Sequence, residues 1–244
     1  MVPGVRLSRV YLIEGDELVA VDSGLPWSAS KVINYIASIG RNPHDLTRIL
    51  MTHSHPDHSS GALAIRKRTG AEILAHAYDT KTHSHNVRSI RYRGLFGSLG
   101  VPLPLIRSTV IDKSVADGDE IPMFGGVEVI HTPGHTAGSV CYFLKSKGVL
   151  FSGDTIFSDG QRVSRSVPFP GYDAENYRQS LYRLAAMQFE TLCGGHGDPL
   201  VQGASDKLRE LLALRPELPT WGAFVKSIPR RLMRDKSLSG EEHM

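Results

Sequence analysis

The sequence predicts an α/β protein in which two mainly β halves carry outer helices, a pattern that fits a four-layer αββα sandwich. Short apolar runs of strand length alternate with segments of helical spacing throughout the chain. Several of those runs end in glycine-rich turns that carry a histidine or an aspartate. At 244 residues with a mixed composition, one domain with a sizeable core is expected.

The elements follow in order. Val5 to Glu14 and Glu17 to Asp22 read as two strands joined at Gly15-Asp16, a turn of hairpin type. Asp22-Ser23-Gly24 ends the second strand. Trp27 to Ile39 carries Val32, Ile33, Ile36 and Ile39 at helical spacing, stops at Gly40 and gives way to Asn42-Pro43. A buried strand is expected over Thr47 to Met51, then a helix from Ser59 to Thr69 ended by Gly70, and a strand over Glu72 to Ala75. Further strands are expected near Val127 to Ile130, Ser139 to Leu144 and Gly148 to Phe151, with helices near Ala174 to Met187 and Ala204 to Leu214. The domain is expected to span 1–214 and to be followed by a tail over 215–244 that frays at its end.

The strand at Thr47 to Met51 runs into Thr52-His53-Ser54-His55-Pro56-Asp57-His58, which places four potential metal ligands within six residues. His53 and His55, two apart on extended chain, project to one side, while Asp57 and His58 lie beyond a proline that forces a turn. One short loop therefore suits two neighbouring ions. Imidazole with carboxylate favours zinc, iron or manganese over calcium or magnesium. His135 follows a strand in His131-Thr-Pro-Gly-His135-Thr-Ala-Gly-Ser139. Asp154 lies in Phe151-Ser-Gly-Asp154-Thr155, and His196 in Cys193-Gly-Gly-His196-Gly-Asp198.

These motifs, HxHxDH, H, D and H in that order over residues 53 to 196, resemble those of the metallo-β-lactamase superfamily of metallohydrolases. The resemblance implies the αββα sandwich of that type. It further implies that His53, His55 and His135 hold one ion, that Asp57, His58 and His196 hold the other, and that Asp154 bridges them. Two zinc ions are the expected cofactors, with iron or manganese as alternatives. A shared hydroxide would be the nucleophile, and Asp57 would orient it and help move a proton to the leaving group. Asp22, at a strand end ahead of the loop, is a candidate carboxylate for orienting a ligand histidine, or else a turn-forming residue.

Departures within the family narrow the expected reaction. β-Lactamases with a similar loop generally lack an aspartate at the Asp154 position. Hydroxyacylglutathione hydrolases usually follow the GDT motif with Cys-Gly-Arg, where this chain has Phe157-Ser-Asp-Gly-Gln-Arg162. The leading expectation is a dinuclear hydrolase of a small carbonyl ester, thioester or lactone. The alternatives are a mononuclear iron persulfide dioxygenase and a nucleic-acid phosphodiesterase.

From Thr80 to Ile111 the chain has no acidic residue but carries Lys81, Arg88, Arg91, Arg93 and Arg107 among apolar residues. This stretch reads as a basic, apolar insertion that serves as a lid, an anion site, an oligomer contact or plain surface. His83 and His85 repeat the HxH spacing without an acidic partner and read as surface histidines. Tyr172 is a candidate oxyanion donor or a core residue. His131 is expected to brace the turn before His135, and His44 and His76 read as structural. Cys141 and Cys193 form no CxxC pair and are expected reduced. The net charge of +3 neither demands nor excludes an anionic partner. With no apolar run of membrane-spanning length and no apolar signal region over Met1 to Val10, a cytoplasmic protein is expected, with a small-molecule substrate, without nucleic acid or membrane, and as a candidate homodimer.

Overall fold

The computed structural model describes residues 1–82, 88–90, 109–168 and 171–218. The first half holds strands β1 (Tyr11–Glu14), β2 (Leu18–Val21), β3 (Leu46–Leu50) and β4 (Glu72–His76), and helices α1 (Ser28–Ser38), α2 (Pro56–Ser59) and α3 (Ala62–Thr69). It continues through β5 (Lys81–Thr82), β6 (Arg88–Ile90), β7 (Thr109–Ile111) and β8 (Lys113–Val115). The second half comprises β9 (Glu120–Ile121), β10 (Val127–His131), β11 (Val140–Leu144), β12 (Val149–Gly153), β13 (Ile156–Asp159) and β14 (Val163–Arg165), then α4 (Ala174–Ala185), β15 (Thr191–Gly194), β16 (Gly197–Asp198) and α5 (Ala204–Leu214).

Each half builds one five-stranded sheet, ordered β1-β2-β3-β4-β8 in the first and β15-β12-β11-β10-β9 in the second. Three cores separate the layers. In the first, Val32 and Ile36 of α1 and Ile65 of α3 pack on Ala20, Ile49 and Ile73. The second lies between the sheets, where the alternate residues Val19, Val21, Leu50 and Leu74 meet Val129, Val140, Tyr142 and Phe151. In the third, Tyr177, Leu181 and Leu184 of α4 and Leu208 and Leu212 of α5 cover Ile130, Cys141, Leu150 and Leu192. The order of layers is therefore helices, sheet, sheet, helices, the predicted sandwich. No described helix is long and apolar enough to cross a membrane.

Two expected elements differ, each for a visible reason. The strand predicted from Val5 begins only at Tyr11, because residues 7–9 turn away from β2 toward the second half. There Arg9 N donates to Gly195 O at 2.8 Å and Arg9 Nε to Gly197 O at 2.6 Å, while Leu7 has φ +75°. The helix predicted over Ser59 to Thr69 is broken ahead of α3. Ser23 N and Ser23 Oγ both donate to His58 O at 2.7 Å, and Gly61 N donates to Gly24 O at 2.8 Å. A Cβ at Gly61 would stand 2.4 Å from Ser23 O, so only glycine admits this contact. Gly70 ends α3 with φ +82°, as expected.

The predicted insertion contributes a small antiparallel sheet, β5-β6-β7. Its Thr109 is buried and donates through Oγ1 to Ser59 O at 3.1 Å, which docks β7 behind the histidine loop. His83, His85, Arg91, Arg93 and Arg107 lie outside the described residues, as does the tail beyond 218.

Candidate metal centre

Every predicted site side chain converges at one edge of the seam between the two sheets. Thr52 to His55 leave the end of β3 as extended chain, and Pro56 then starts α2, which re-aims Asp57 and His58. His135, Asp154 and His196 follow β10, β12 and β15 from the opposite sheet. The potential ligand atoms form two groups, His53, His55, His135 and Asp154, and Asp57, His58 and His196; within each, all lie within 4.8 Å of one another.

Asp154 faces both groups. Its Oδ2 is 3.4 Å from His135 Nε2 and 3.3 Å from His196 Nε2, and its Oδ1 is 3.2 Å from His58 Nε2. Asp57 Oδ2 lies 3.6 Å from Nε2 of both His58 and His196. Ring nitrogens also face each other, His135 Nε2 and His55 Nδ1 at 2.9 Å and His58 Nε2 and His196 Nε2 at 3.4 Å. The second face of the rings is held by hydrogen bonds. His58 Nδ1 donates to Asp22 Oδ2 at 2.8 Å, and His196 Nδ1 donates to Leu7 O. Ser166 Oγ stands 2.7 Å from His135 Nδ1, and Thr52 Oγ1 stands 3.0 Å from His53 Nδ1.

Asp22 organises two of these rings at once. Thr52 Oγ1 donates to Asp22 Oδ2 at 2.8 Å, since the carboxylate has no proton to give. The hydroxyl oxygen is then left to accept from His53 Nδ1, so His53 Nε2 is bare. That atom is buried without a hydrogen-bond partner among the described residues. A buried imidazole nitrogen with no donor to satisfy it, aimed into a ring of other lone pairs, fits a cation. Asp22 thus fills both roles considered for it, since it also adopts φ +59° at the strand end.

The electrostatics of the metal-free protein agree. Burial pushes His53 well below the usual histidine value, with His58 adding repulsion, and burial takes His135 down to about 3. Burial also opposes charge on His58, but Asp154, Asp57 and Asp22 outweigh it and hold His58 well above the usual value. For Asp154, burial disfavours the anion; the charge on His58 and hydrogen bonds from His196 and His58 reverse this, so its pKa falls well below the carboxylate range. Asp154 is thereby held as an anion beside two histidines, His53 and His135, that burial keeps neutral.

Other predicted residues fall into place. His131 Nε2 donates to Ala137 O at 2.9 Å and stacks on His76 at 4.1 Å, so it braces the turn that carries His135. His44 lies 3.2 Å from Thr69 O through Nδ1, a structural contact. Tyr172 is partly buried and packs against the third core, its ring 5.1 Å from that of Tyr177. Cys193 is buried in the inter-sheet core, and burial raises its thiol to about 12.

Sequence reasoning missed Ser166, Asp79, Thr52 and the Leu7 carbonyl. None lies in a motif, and each acts across 25 residues or more or through backbone, except Thr52, which merely precedes His53. Beside His196 a cavity of about 610 Å³ opens between the β13–β14 hairpin and α5, lined by Phe157, Arg162, Lys207, Leu211 and Leu214 among others.

Comparison with known proteins places this geometry in context. The family described as "Metallo-beta-lactamase superfamily" matches residues 3–196. A hydroxyacylglutathione hydrolase of Maricaulis maris (strain MCS10) is 35% identical over 147 residues, covering 60% of this chain and 46% of that protein. The chain thus spans about half the length of that relative. A protein named "Probable metallo-hydrolase YflN" of Bacillus subtilis (strain 168) is 26% identical over 80% of this chain and 83% of its own. Among solved structures, a metallo-beta-lactamase family protein from Thermus thermophilus superposes with a TM-score of 0.64 at 24% identity, covering 85% of this chain and 74% of that one. BLEG-1, a B3 metallo-beta-lactamase, gives 0.63 at 22%, covering 87% and 94%.

Proposed function

The chain belongs to the metallo-beta-lactamase superfamily, and on that premise we propose that it is a dinuclear metal-dependent hydrolase of a small carbonyl ester, thioester or lactone. His53, His55 and His135 would hold one ion, Asp57, His58 and His196 the other, with Asp154 shared. The observation that carries this reading is the position of Asp154. One buried carboxylate lies within 3.4 Å of histidines from both groups, and His53 Nε2, 3.9 Å from its Oδ2, has no hydrogen-bond partner among the described residues. The all-nitrogen-and-oxygen donor set suits zinc first, with iron or manganese as alternatives.

Divalent ions, when bound, would lower the pKa of a bound water to about 7 and polarise a carbonyl oxygen. The chain's own residues position and protonate. Asp57 is the more open of the two carboxylates, its side chain 15% exposed against 7% for Asp154. It is therefore placed to orient an attacking water and to pass a proton toward a leaving group, whereas Asp154 is enclosed. His196, 32% exposed through its side chain, is the candidate ligand that also lines the cavity.

Hydroxyacylglutathione hydrolases among the relatives support a thioester, and Phe157 to Arg162, which differs from the Cys-Gly-Arg expected after the GDT motif in that family, supports an acyl partner other than glutathione. The test is to quantify metal in protein purified without added metal and to profile turnover across thioesters, lactones, β-lactams and phosphodiesters. Two transition-metal ions per chain with turnover of a thioester or lactone are expected. A single iron per chain with oxygen consumption on a persulfide would refute the reading, as would turnover confined to phosphodiesters.

A further inference from the structure

Asp79 closes β4 through a single turn of 3-10 helix, Ala77–Asp79, and lies outside every motif of the site. Its carboxylate is used on both oxygens. Oδ2 accepts from Ser54 N at 2.7 Å and from Thr136 Oγ1 at 2.8 Å, and Oδ1 accepts from Gly138 N at 2.7 Å. Ser54 is the residue between His53 and His55, and Thr136 is the residue after His135. One side chain therefore fixes the backbone that carries all three histidines of the first group, and ties the first half of the chain to the second. The fit is tight: a Cβ at Gly138 would stand 2.5 Å from Asp79 N. Among the described residues, the hydrogen bonds of the Asp79 carboxylate go to Ser54, Thr136 and Gly138 and not to Asp57, His58 or His196.

We propose that Asp79 is the positioning residue of the three-histidine group, setting its affinity for a metal ion without setting that of the Asp57, His58 and His196 group. The inference rests on the two-ion reading above. At the surface, water can replace the acceptor of a single backbone N–H. Here, three donors converge on one carboxylate, and only an anion with both oxygens free accepts them all. An asparagine keeps one oxygen and turns an NH2 toward either Gly138 N or the Ser54 and Thr136 pair. Donor then faces donor, and the loop or the turn must shift. Ligand constellations tolerate about 0.5 Å of misplacement before they weaken.

The experiment is a stepwise zinc titration of full-length, chelator-stripped protein against a competing chelator, with thermal unfolding of the zinc-free form recorded alongside. Wild type should take two zinc ions. In Asp79→Asn one step should weaken about 10- to 100-fold, the range for partners that orient ligands, while the other stays within about twofold. Thr136→Val, which removes the hydroxyl that bonds Asp79 Oδ2 and Ser139 Oγ and keeps the side chain's volume, should weaken the same step by a smaller factor, so the inference stands on a second variant if Asp79→Asn folds poorly. Both steps weakened alike, or a lower unfolding temperature with zinc binding unchanged in both variants, would overturn the role and leave Asp79 a brace for the fold. Wild type that takes a single zinc would refute the two-ion reading itself, and this inference with it.

Discussion

Asp22→Asn is the most informative single change at this centre, because one oxygen serves both groups of ligands. Asp22 Oδ1 accepts from Thr52 N at 2.8 Å, while Oδ2 accepts from Thr52 Oγ1 and from His58 Nδ1, each at 2.8 Å. Asparagine tolerates the left-handed backbone here, with φ at +59°, so strain is not the main effect. If its oxygen keeps the Thr52 N–H, its NH2 faces a hydroxyl and an imidazole that both need to donate. To accept instead, His58 must move its proton to Nε2. Thr52 must likewise reverse its hydroxyl toward His53 Nδ1, which sends the His53 proton to Nε2 as well. Both displaced protons land on the nitrogens that face the other ligands. Each misfit left uncorrected in a buried site costs about 1–3 kcal/mol. Loss of an orienting partner weakens metal binding about 10- to 100-fold, or about 1.4–2.7 kcal/mol per ion. The assay is the chelator competition described above, run with denaturant unfolding of the zinc-free protein. Both zinc steps should weaken, which separates Asp22 from Asp79. If both constants stay within about twofold of wild type in folded protein, the proton relay from Asp22 through Thr52 to His53 is wrong.

Asp57→Ala should leave the fold intact and lower kcat by about 10²-fold or more, since it removes the open carboxylate; near-wild-type kcat in protein of normal metal content would rule that role out. His76 gives a pH prediction with a definite sign. Burial and then the stacked His131 lower its pKa below the ordinary value of 6.5, so the folded state binds fewer protons than the unfolded one. Stability from this source is complete above about pH 6.5 and drains away as pH falls through the folded value. Chelated His76→Phe protein, which keeps the stack, should therefore lose less stability between pH 7.5 and about 5.5 than chelated wild type. Parallel denaturation profiles would contradict this.

The candidate ligands were legible in the sequence because their chemistry is local: His53, His55, Asp57 and His58 announce themselves by spacing, and each later candidate sits where a strand meets a glycine-rich turn. The four layers were legible for the same reason, since the apolar positions of β2, β3 and β10 to β12 sort between cores by simple alternation. What sequence does not carry is contact at a distance. Ser166 holds His135 from 31 residues away, and nothing in Val163-Ser164-Arg165-Ser166 marks the second serine over the first. The strands β13 and β14 are too short to show a pattern in sequence, each giving the third core one aliphatic residue, Ile156 and Val163, and pairing Ile156 with Arg165 and Ser158 with Val163. The split of the helix before α3 depended on Ser23 competing for the His58 carbonyl, a contest between segments 35 residues apart.

The division of the centre between the two sheets gives it a use as a gauge of assembly. The first sheet ends with Val115 and the second begins with Glu120, joined by a turn at Gly118 with φ +77°. A chain opened there yields two pieces, each with its own sheet and helices. One piece owns His53, His55, Asp57 and His58, and the other owns His135, Asp154 and His196. Neither holds either ligand group entire. Metal taken up at full affinity by a mixture of the two pieces would count rejoined molecules, so a cobalt colour change or a fluorescent zinc competitor could serve as a split reporter whose signal arises only when the inter-sheet seam has closed.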